Sequence, residues 1–188
     1  MTLFKNRYRV ESMRLKGHDY SSPGNYFVTI CTSGKEDWFG EVRQQQMIRN
    51  KAGEIAHKFW EEIPIHFKGV ALDEFEIMPN HIHGIIVLKN YSRGDVACNV
   101  ATKQNPKTMS MISPKRGSLG TIIRSFKSAV SNSCHSNGYP DFCWQSKYHD
   151  HIIRSERELD AIRVYIHRNP AKREEERNDA TRNENWMD

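Results

Sequence analysis

Long apolar runs are missing from this sequence of 188 residues. No stretch reaches the roughly 20 apolar residues that a membrane-spanning helix needs. The N-terminal segment is basic but has no apolar core of the kind found in signal peptides, so we expect no secretory leader. These absences predict a cytoplasmic protein with no membrane partner.

Closely spaced cysteines are also missing. None of the cysteines has a partner at the short spacing typical of zinc ligands, and the simplest interpretation is reduced, ordinary thiols. The sequence contains no internal repeat, and its length suits one domain with a hydrophobic core. The cysteines are Cys31, Cys98, Cys134 and Cys143.

The charge of the chain is mildly basic, with a formal net charge of +5. This value favours a polyanionic partner but fits an ordinary basic protein equally well. The distribution is more informative, because Lys and Arg concentrate in residues 5–16, 103–127 and 163–173. The sequence does not decide whether these stretches form one surface or three.

Hydrophobic periodicity predicts the element order β-α-β-β-α-β-α. The first six elements match the split βαβ pattern, so we expect an α+β, ferredoxin-like sandwich with an antiparallel sheet and an additional C-terminal helix. Strands are predicted at 24–32, 70–78, 81–89 and 142–154, and helices at 52–67, 118–132 and 155–174. In the last helix a capping box is predicted at Ser155 and Glu158, and Pro170 is predicted to end it.

Residues 1–188 are expected to form a single domain with three irregular segments. These are a basic N-terminal arm at 1–23, a polar insertion loop at 90–117 and a disordered charged tail at 174–188. A loop as long as 90–117 is usually functional or disordered in a compact domain.

The segment "HIHGIIVLK" places two histidines at the start of a predicted strand. Side chains at i and i+2 of a strand point to one face, so His81 and His83 project together. Two imidazoles on one face can hold a divalent cation, although this short pattern also arises by chance.

The last helix supplies candidate partners for these histidines. Tyr165 and Asn169 are four residues apart and share a helix face, beside an apolar stripe that would pack on the sheet. The alternatives are an amphipathic packing tyrosine and an asparagine favoured locally before proline. A second pair, His149 and His151, follows Tyr148, and the alternatives for it are a rival metal site, a phosphate-contacting edge or no function.

Four blocks together resemble the REP-associated tyrosine transposases, which belong to the HUH single-strand endonucleases. They are "MPNHIHGIIVL", "SLGTIIRSFKSAV", "WQSKYHDHIIR" and "YIHRNPAK", in this order, and "RLKGHDYSSPGNYFVTICT" is similar to the family's opening. The resemblance covers about residues 12 to 173 and implies a ferredoxin-like core.

The resemblance implies a nuclease that forms a covalent DNA intermediate. It places the nucleophile at Tyr165 and the metal ligands at His81, His83 and Asn169, with Mg²⁺ or Mn²⁺ as cofactor. The nucleophile would form a 5′-phosphotyrosine and release a 3′-hydroxyl. The general base is not identified, and the candidates are a metal-bound hydroxide and a histidine such as His167.

The implied partner is single-stranded DNA that folds into a hairpin, bound by a monomer or a homodimer near the prokaryotic nucleoid. Trp144 is a candidate for base stacking, although a core position is expected for it. The candidate phosphate contacts are Arg14, Lys16, Arg124 and Lys127.

Three other functions compete with this interpretation. A replication initiator or relaxase of the HUH class would use the same chemistry for another outcome. A non-catalytic regulator on the same fold would keep the basic surface and tolerate loss of Tyr165 or His81. A histidine-based zinc hydrolase would require Zn²⁺ and form no covalent DNA adduct.

Overall fold

The computed structural model describes residue 15, residues 17–90 and residues 117–184, with side chains as far as residue 177. In chain order the strands are β1 (Gly24–Cys31), β2 (Gly40–Arg43), β3 (Gln46–Arg49), β4 (Val70–Met78), β5 (His81–Leu88) and β6 (His149–Ile153). The helices are α1 (Lys51–Glu61), α2 (Ile63–His66), α3 (Leu119–Ser136) and α4 (Glu156–Glu184).

Four strands form one antiparallel sheet in the order β4-β5-β1-β6. A turn at Pro79 and Asn80 joins β4 to β5, as the sequence predicts. Placing β1 and β5 in the centre is the order that two interleaved βαβ units produce. The predicted α+β class with an antiparallel sheet is therefore confirmed.

One face of the sheet forms the main core with α1 and α3. Alternate residues of β1, namely Tyr26, Val28 and Ile30, are fully buried on this face. Gly84 of β5 lets Trp60 of α1 lie directly against the strand, because a Cβ at Gly84 would be 2.3 Å from the Trp60 Cζ2 atom. This packing fixes which residues of β5 point away from α1 and α3.

The opposite face is covered by α4. Ile85 of β5 and Ile153 of β6 form a second apolar cluster with Leu159 and Ile166, and Ile162 packs at its edge. The predicted apolar stripe of the last helix therefore packs that helix on the sheet. On β5, His81 and His83 continue the series that leads to Ile85, so both histidines share the face that α4 covers.

The structure shortens one predicted element, divides another and adds a hairpin that was not predicted. The strand predicted at 142–154 is limited to β6, and the preceding residues are irregular apart from an isolated bridge between Thr32 and Trp144. The helix predicted at 52–67 is divided into α1 and α2, with Pro64 in the first turn of α2. The hairpin of β2 and β3 was not predicted.

The predicted end of the last helix at Pro170 is wrong. Helix α4 contains Pro170 in its interior and continues to Glu184, so part of the segment expected as a tail is helical. An interior proline removes one backbone hydrogen bond and usually kinks a helix, so other contacts must hold α4 in place. Among the described residues, no helix is long and apolar enough to cross a membrane.

Candidate active site

Two imidazoles form the centre of the candidate site. The β5 strand places His81 and His83 on the α4 face, and their ring centroids are 4.5 Å apart. His83 is 6% exposed, and its ring stacks on Phe27 of β1 with the centroids 5.4 Å apart. The expectation that the two histidines project together is met.

Each imidazole is held through its Nδ1 atom. His83 Nδ1 lies 2.9 Å from Thr29 Oγ1 on the neighbouring strand, and His81 Nδ1 lies 2.8 Å from Asn80 Oδ1. When Nδ1 carries the proton and donates these bonds, Nε2 keeps a free lone pair. Both rings can then present Nε2 as a ligand atom or as a hydrogen-bond acceptor.

Burial keeps both imidazoles neutral. Desolvation, together with the positive charge of Arg173, lowers the pKa of His81 to about 4. Desolvation lowers the pKa of His83 to about 3, with a smaller contribution from His81. Neutral imidazole is the form that binds a cation, so the pair is ready for a metal at neutral pH.

Helix α4 brings the predicted tyrosine to these histidines. The Tyr165 hydroxyl oxygen is 3.5 Å from His83 Nε2, and the Tyr165 ring contacts Phe27 edge to face. Tyr165 is nevertheless 43% exposed. The side chain is therefore both held beside His83 and open to solvent.

Asn169 follows Tyr165 by one helical turn and is 9% exposed. On its N-terminal side Ile166 packs with Ile85, and on its C-terminal side Arg173 contacts Asn80. Asn169 therefore faces the sheet between these two contacts, on the part of α4 that lies over the paired histidines.

Two arginines tie α4 to the rest of the domain on either side of Asn169. Arg163 donates to both carboxylate oxygens of Asp73 on β4, at 2.6 and 2.8 Å. Arg173 donates to Asp37 at 2.7 Å and to Asn80 Oδ1 at 3.1 Å. These bonds stabilise the helix on both sides of Pro170.

The hairpin of β2 and β3 adds a further contact to α4. The Glu174 carboxylate accepts bonds from the backbone N–H groups of Gln44 and Gln45, at 3.1 and 2.7 Å. Two residues with positive φ form this turn. The hairpin that sequence reasoning missed therefore supports α4 just beyond Pro170.

Sequence reasoning missed four residues that surround the histidines. Asn80 was interpreted only as part of a turn, and Thr29 only as part of a strand. Arg173 lies eight residues after Tyr165, so helical spacing was a usable signal for it. Glu76 pairs with His83 across β4 and β5, and burial raises its pKa.

The second histidine pair is used differently from the first. His151 Nε2 lies 2.6 Å from Glu158 Oε1, and the other oxygen of Glu158 accepts from the N–H of Arg154. Glu158 N in turn donates to Ser155 Oγ at 3.2 Å, so half of the predicted capping box forms. His151 thereby helps fix the start of α4.

The other secondary candidates have different positions in the fold. His149 is exposed and pairs with Thr29 across the sheet, on the face that also carries His83. Tyr148 is partly buried against the main core, as is Trp144, and His167 is exposed on α4. These positions alone do not identify a chemical role for any of the four residues.

The structure describes two of the four basic candidates, and both lie on α3. Arg124 is exposed on α3. Lys127 is half-buried, donates to the Gln145 carbonyl and lies 5.9 Å from the centre of the Trp144 ring. Arg14 and Lys16 lie outside the described residues, as does nearly all of the 90–117 loop. The DNA contacts therefore stay predictions.

The donor atoms available at the site suit a divalent cation. Over the described part of the chain, no group of three or more His, Cys, Asp and Glu side chains could hold a metal. A third protein ligand beside His81 and His83 would therefore be of another residue type, and the amide of Asn169 on α4 is the predicted one. Mixed nitrogen and oxygen ligands of this kind fit Mg²⁺ or Mn²⁺.

Comparison with known proteins gives one sequence relative and a similar fold. No family model matches the chain. A protein of Haemophilus influenzae (strain ATCC 51907 / DSM 11121 / KW20 / Rd), described as "Uncharacterized protein", is 40% identical over 162 residues, which are 85% of this chain and 87% of that protein. The structure of a REP-associated tyrosine transposase bound to a REP hairpin matches with a TM-score of 0.51 at 14% identity, over 92% of this chain and 74% of that one.

Proposed function

This chain belongs to the family of the Haemophilus influenzae protein, and we propose that it is a metal-dependent single-stranded DNA transposase. The proposed substrate is hairpin-containing DNA, which the protein cleaves and rejoins through a 5′-phosphotyrosine. The shared fold with a transposase that was solved with a REP hairpin supports this proposal.

One observation carries the proposal. The Tyr165 hydroxyl oxygen lies 3.5 Å from His83 Nε2, while Tyr165 itself remains partly exposed. A nucleophile needs to lie beside ligand imidazoles and still be reached by DNA, and this position suits both requirements.

The proposed reaction consists of two transesterifications. The Tyr165 hydroxyl oxygen attacks the scissile phosphorus, a Tyr–O–P bond forms, and the bond from phosphorus to the 3′ oxygen breaks. The phenol proton passes to solvent and the 3′ oxygen takes up a proton. In the second step a 3′-hydroxyl attacks the phosphotyrosine and releases Tyr165, so joining needs no ATP because each step replaces one phosphoester with another.

His81, His83 and Asn169 are the proposed ligands of Mg²⁺ or Mn²⁺. When bound, the cation would neutralise charge on the scissile phosphate and polarise it toward attack. The protein contributes the orientation: Thr29 and Asn80 hold the two rings by Nδ1, and the seating of α4 positions Tyr165 and Asn169.

The proposal is tested with single-stranded hairpin oligonucleotides from DNA that flanks the gene. The protein is incubated with them and Mn²⁺ or Mg²⁺, and covalent products are separated on a denaturing gel. We expect a metal-dependent adduct that Tyr165→Phe and His81→Ala abolish, because the first removes the nucleophile and the second a ligand.

Tyr148→Phe is the matched control, since it removes a hydroxyl from another partly buried tyrosine. The adduct should persist in this variant. An adduct that survives Tyr165→Phe and disappears in Tyr148→Phe would place the nucleophile at Tyr148. DNA binding without an adduct, across several hairpins and both metals, would favour a non-catalytic regulator.

A further inference from the structure

A chain of polar contacts connects α4 to His81. The Asp37 carboxylate accepts from Arg173 at 2.7 and 3.0 Å, and Arg173 donates to Asn80 Oδ1 at 3.1 Å. Asn80 Oδ1 also lies 2.8 Å from His81 Nδ1. One amide oxygen therefore joins the helix that carries Tyr165 to one of the two central imidazoles.

The orientation of the Asn80 amide is determined by its other contacts. Its Nδ2 atom donates to the Lys35 carbonyl at 2.9 Å, so the oxygen and not the nitrogen faces Arg173. Arg173 can only donate, which confirms that its partner atom is an acceptor. Because Asn80 Oδ1 can only accept, the bond to His81 requires a proton on His81 Nδ1.

We propose that Arg173 is a positioning residue, which through Asn80 holds His81 in the tautomer that presents Nε2 to the candidate metal site. This inference rests on the proposed function, since it concerns the ligand role of His81. It implies that the packing of α4 on the sheet and the tautomer of His81 are coupled, because the Arg173 guanidinium takes part in both.

The position of Arg173 distinguishes it from a simple tether. Arg163 makes an equally well-formed ion pair between α4 and the sheet, but among the described residues its partner Asp73 bonds to neither histidine. If Arg173 only held the helix, loss of either arginine would have similar consequences. If Arg173 positions His81, its loss alone would alter the imidazole.

The experiment compares Arg173→Met and Arg163→Met, which remove all donors but keep a long side chain. Two-bond ¹H–¹⁵N correlation spectra of the metal-free protein, recorded near neutral pH, report which ring nitrogen of His81 carries the proton. We expect Nδ1 to be protonated in the wild type and in Arg163→Met. Arg173→Met should show a mixture of both tautomers.

Mn²⁺ titration of the same proteins, without DNA, gives the second measurement. We expect about tenfold weaker Mn²⁺ binding for Arg173→Met, the scale at which partners of metal ligands act, and wild-type binding for Arg163→Met. Arg173→Lys keeps a donor toward Asn80 Oδ1 and should recover most of the affinity.

An unchanged His81 tautomer in Arg173→Met would overturn the inference, as would equal effects of the two methionine variants. If the proposed function itself is wrong, the experiments give different results. In that case the wild type would bind no Mn²⁺ or form no DNA adduct, while the tautomer spectra would still report on Arg173 and Asn80.

Discussion

The two central histidines are unusual because burial keeps them neutral well below the ordinary titration range of imidazole. The surrounding side chains of Phe27 and α4 exclude water from His83, and Arg173 adds a positive charge near His81. The same desolvation makes the free energy of unfolding of the metal-free protein depend on pH.

The direction of that dependence follows from linkage. Imidazole in the unfolded chain takes up a proton as pH falls through about 6.5, whereas folded His83 resists protonation down to about pH 3. The unfolded state therefore binds more protons in this window. Above about pH 6.5 the term is absent, and the free energy of unfolding falls as pH decreases toward 3.

Between pH 7 and pH 5, the free energy of unfolding should fall by about 2 kcal/mol less in His83→Gln than in the wild type. The reason is that the unfolded variant lacks the imidazole that takes up this proton. Urea unfolding at both pH values, with a chelator present, measures the difference. His66→Gln removes an exposed imidazole and is the control, with a loss close to that of the wild type. Equal losses for all three proteins would contradict the buried, neutral state of His83.

At the scale of elements, the hairpin of β2 and β3 and helix α4 support one another. The pairing of Arg43 with Gln46 leaves Gln44 and Gln45 as a two-residue loop, and their φ values are 50° and 59°. Positive φ at both positions is the type I′ geometry, for which Asn-Gly is strongly preferred. Glutamine is used here against its conformational preference.

Replacing Gln44-Gln45 by Asn-Gly should therefore stabilise the protein, by about 0.5–1 kcal/mol, because it relieves the left-handed backbone. Both backbone N–H groups remain, so the contacts with Glu174 should persist. Urea unfolding measures the gain, and adduct formation should be unchanged. A loss of stability would show that the glutamine side chains themselves hold the turn.

At the scale of the whole molecule, α4 crosses the sheet of its own chain. It contacts β6 through Glu158, β1 and β5 through Tyr165, β4 through Arg163, and the hairpin through Glu174. Tyr165 of another copy would reach these histidines only if its α4 formed all of these contacts on this chain. The arrangement favours a site assembled within one chain.

Mixing Tyr165→Phe with His83→Ala protein tests this arrangement. Because each site would take both side chains from one chain, we expect the mixture to form no covalent DNA adduct. Adduct formation is measured on a denaturing gel with hairpin oligonucleotides. As a control, wild-type protein is mixed with each variant in turn. Adduct formation in the mixture would show that helices are exchanged between copies.

Short-range periodicity was sufficient for much of this fold. Alternation along β5 placed His81 and His83 on one face, and the four-residue spacing on α4 placed Tyr165 and Asn169 together. Both conclusions depend on the geometry of a single element. They hold whatever that element packs against, which is why they were predictable.

Errors arose where tertiary contacts outweighed local preference. Helix α4 continues through Pro170 because Arg173 and Glu174 are held beyond it by Asp37, Asn80 and the hairpin turn. Residues 142–148 read as a strand because Phe142 and Trp144 are apolar, yet these side chains fill the core without a complete ladder. The turn at Gln44-Gln45 lacks the glycine or asparagine from which a hairpin is usually predicted.

The sequence by itself determined the order of the four strands of the main sheet, the shared face of the two histidines and the helix face of Tyr165, because each is a matter of neighbours within a few residues. Only the tertiary structure decided that Tyr165 lies beside His83, 82 residues away, and that Arg173 reaches Asn80 across 93 residues. The physical reason is that such contacts depend on the position of the helices on the sheet. That position is determined by many packing and polar contacts across the whole domain.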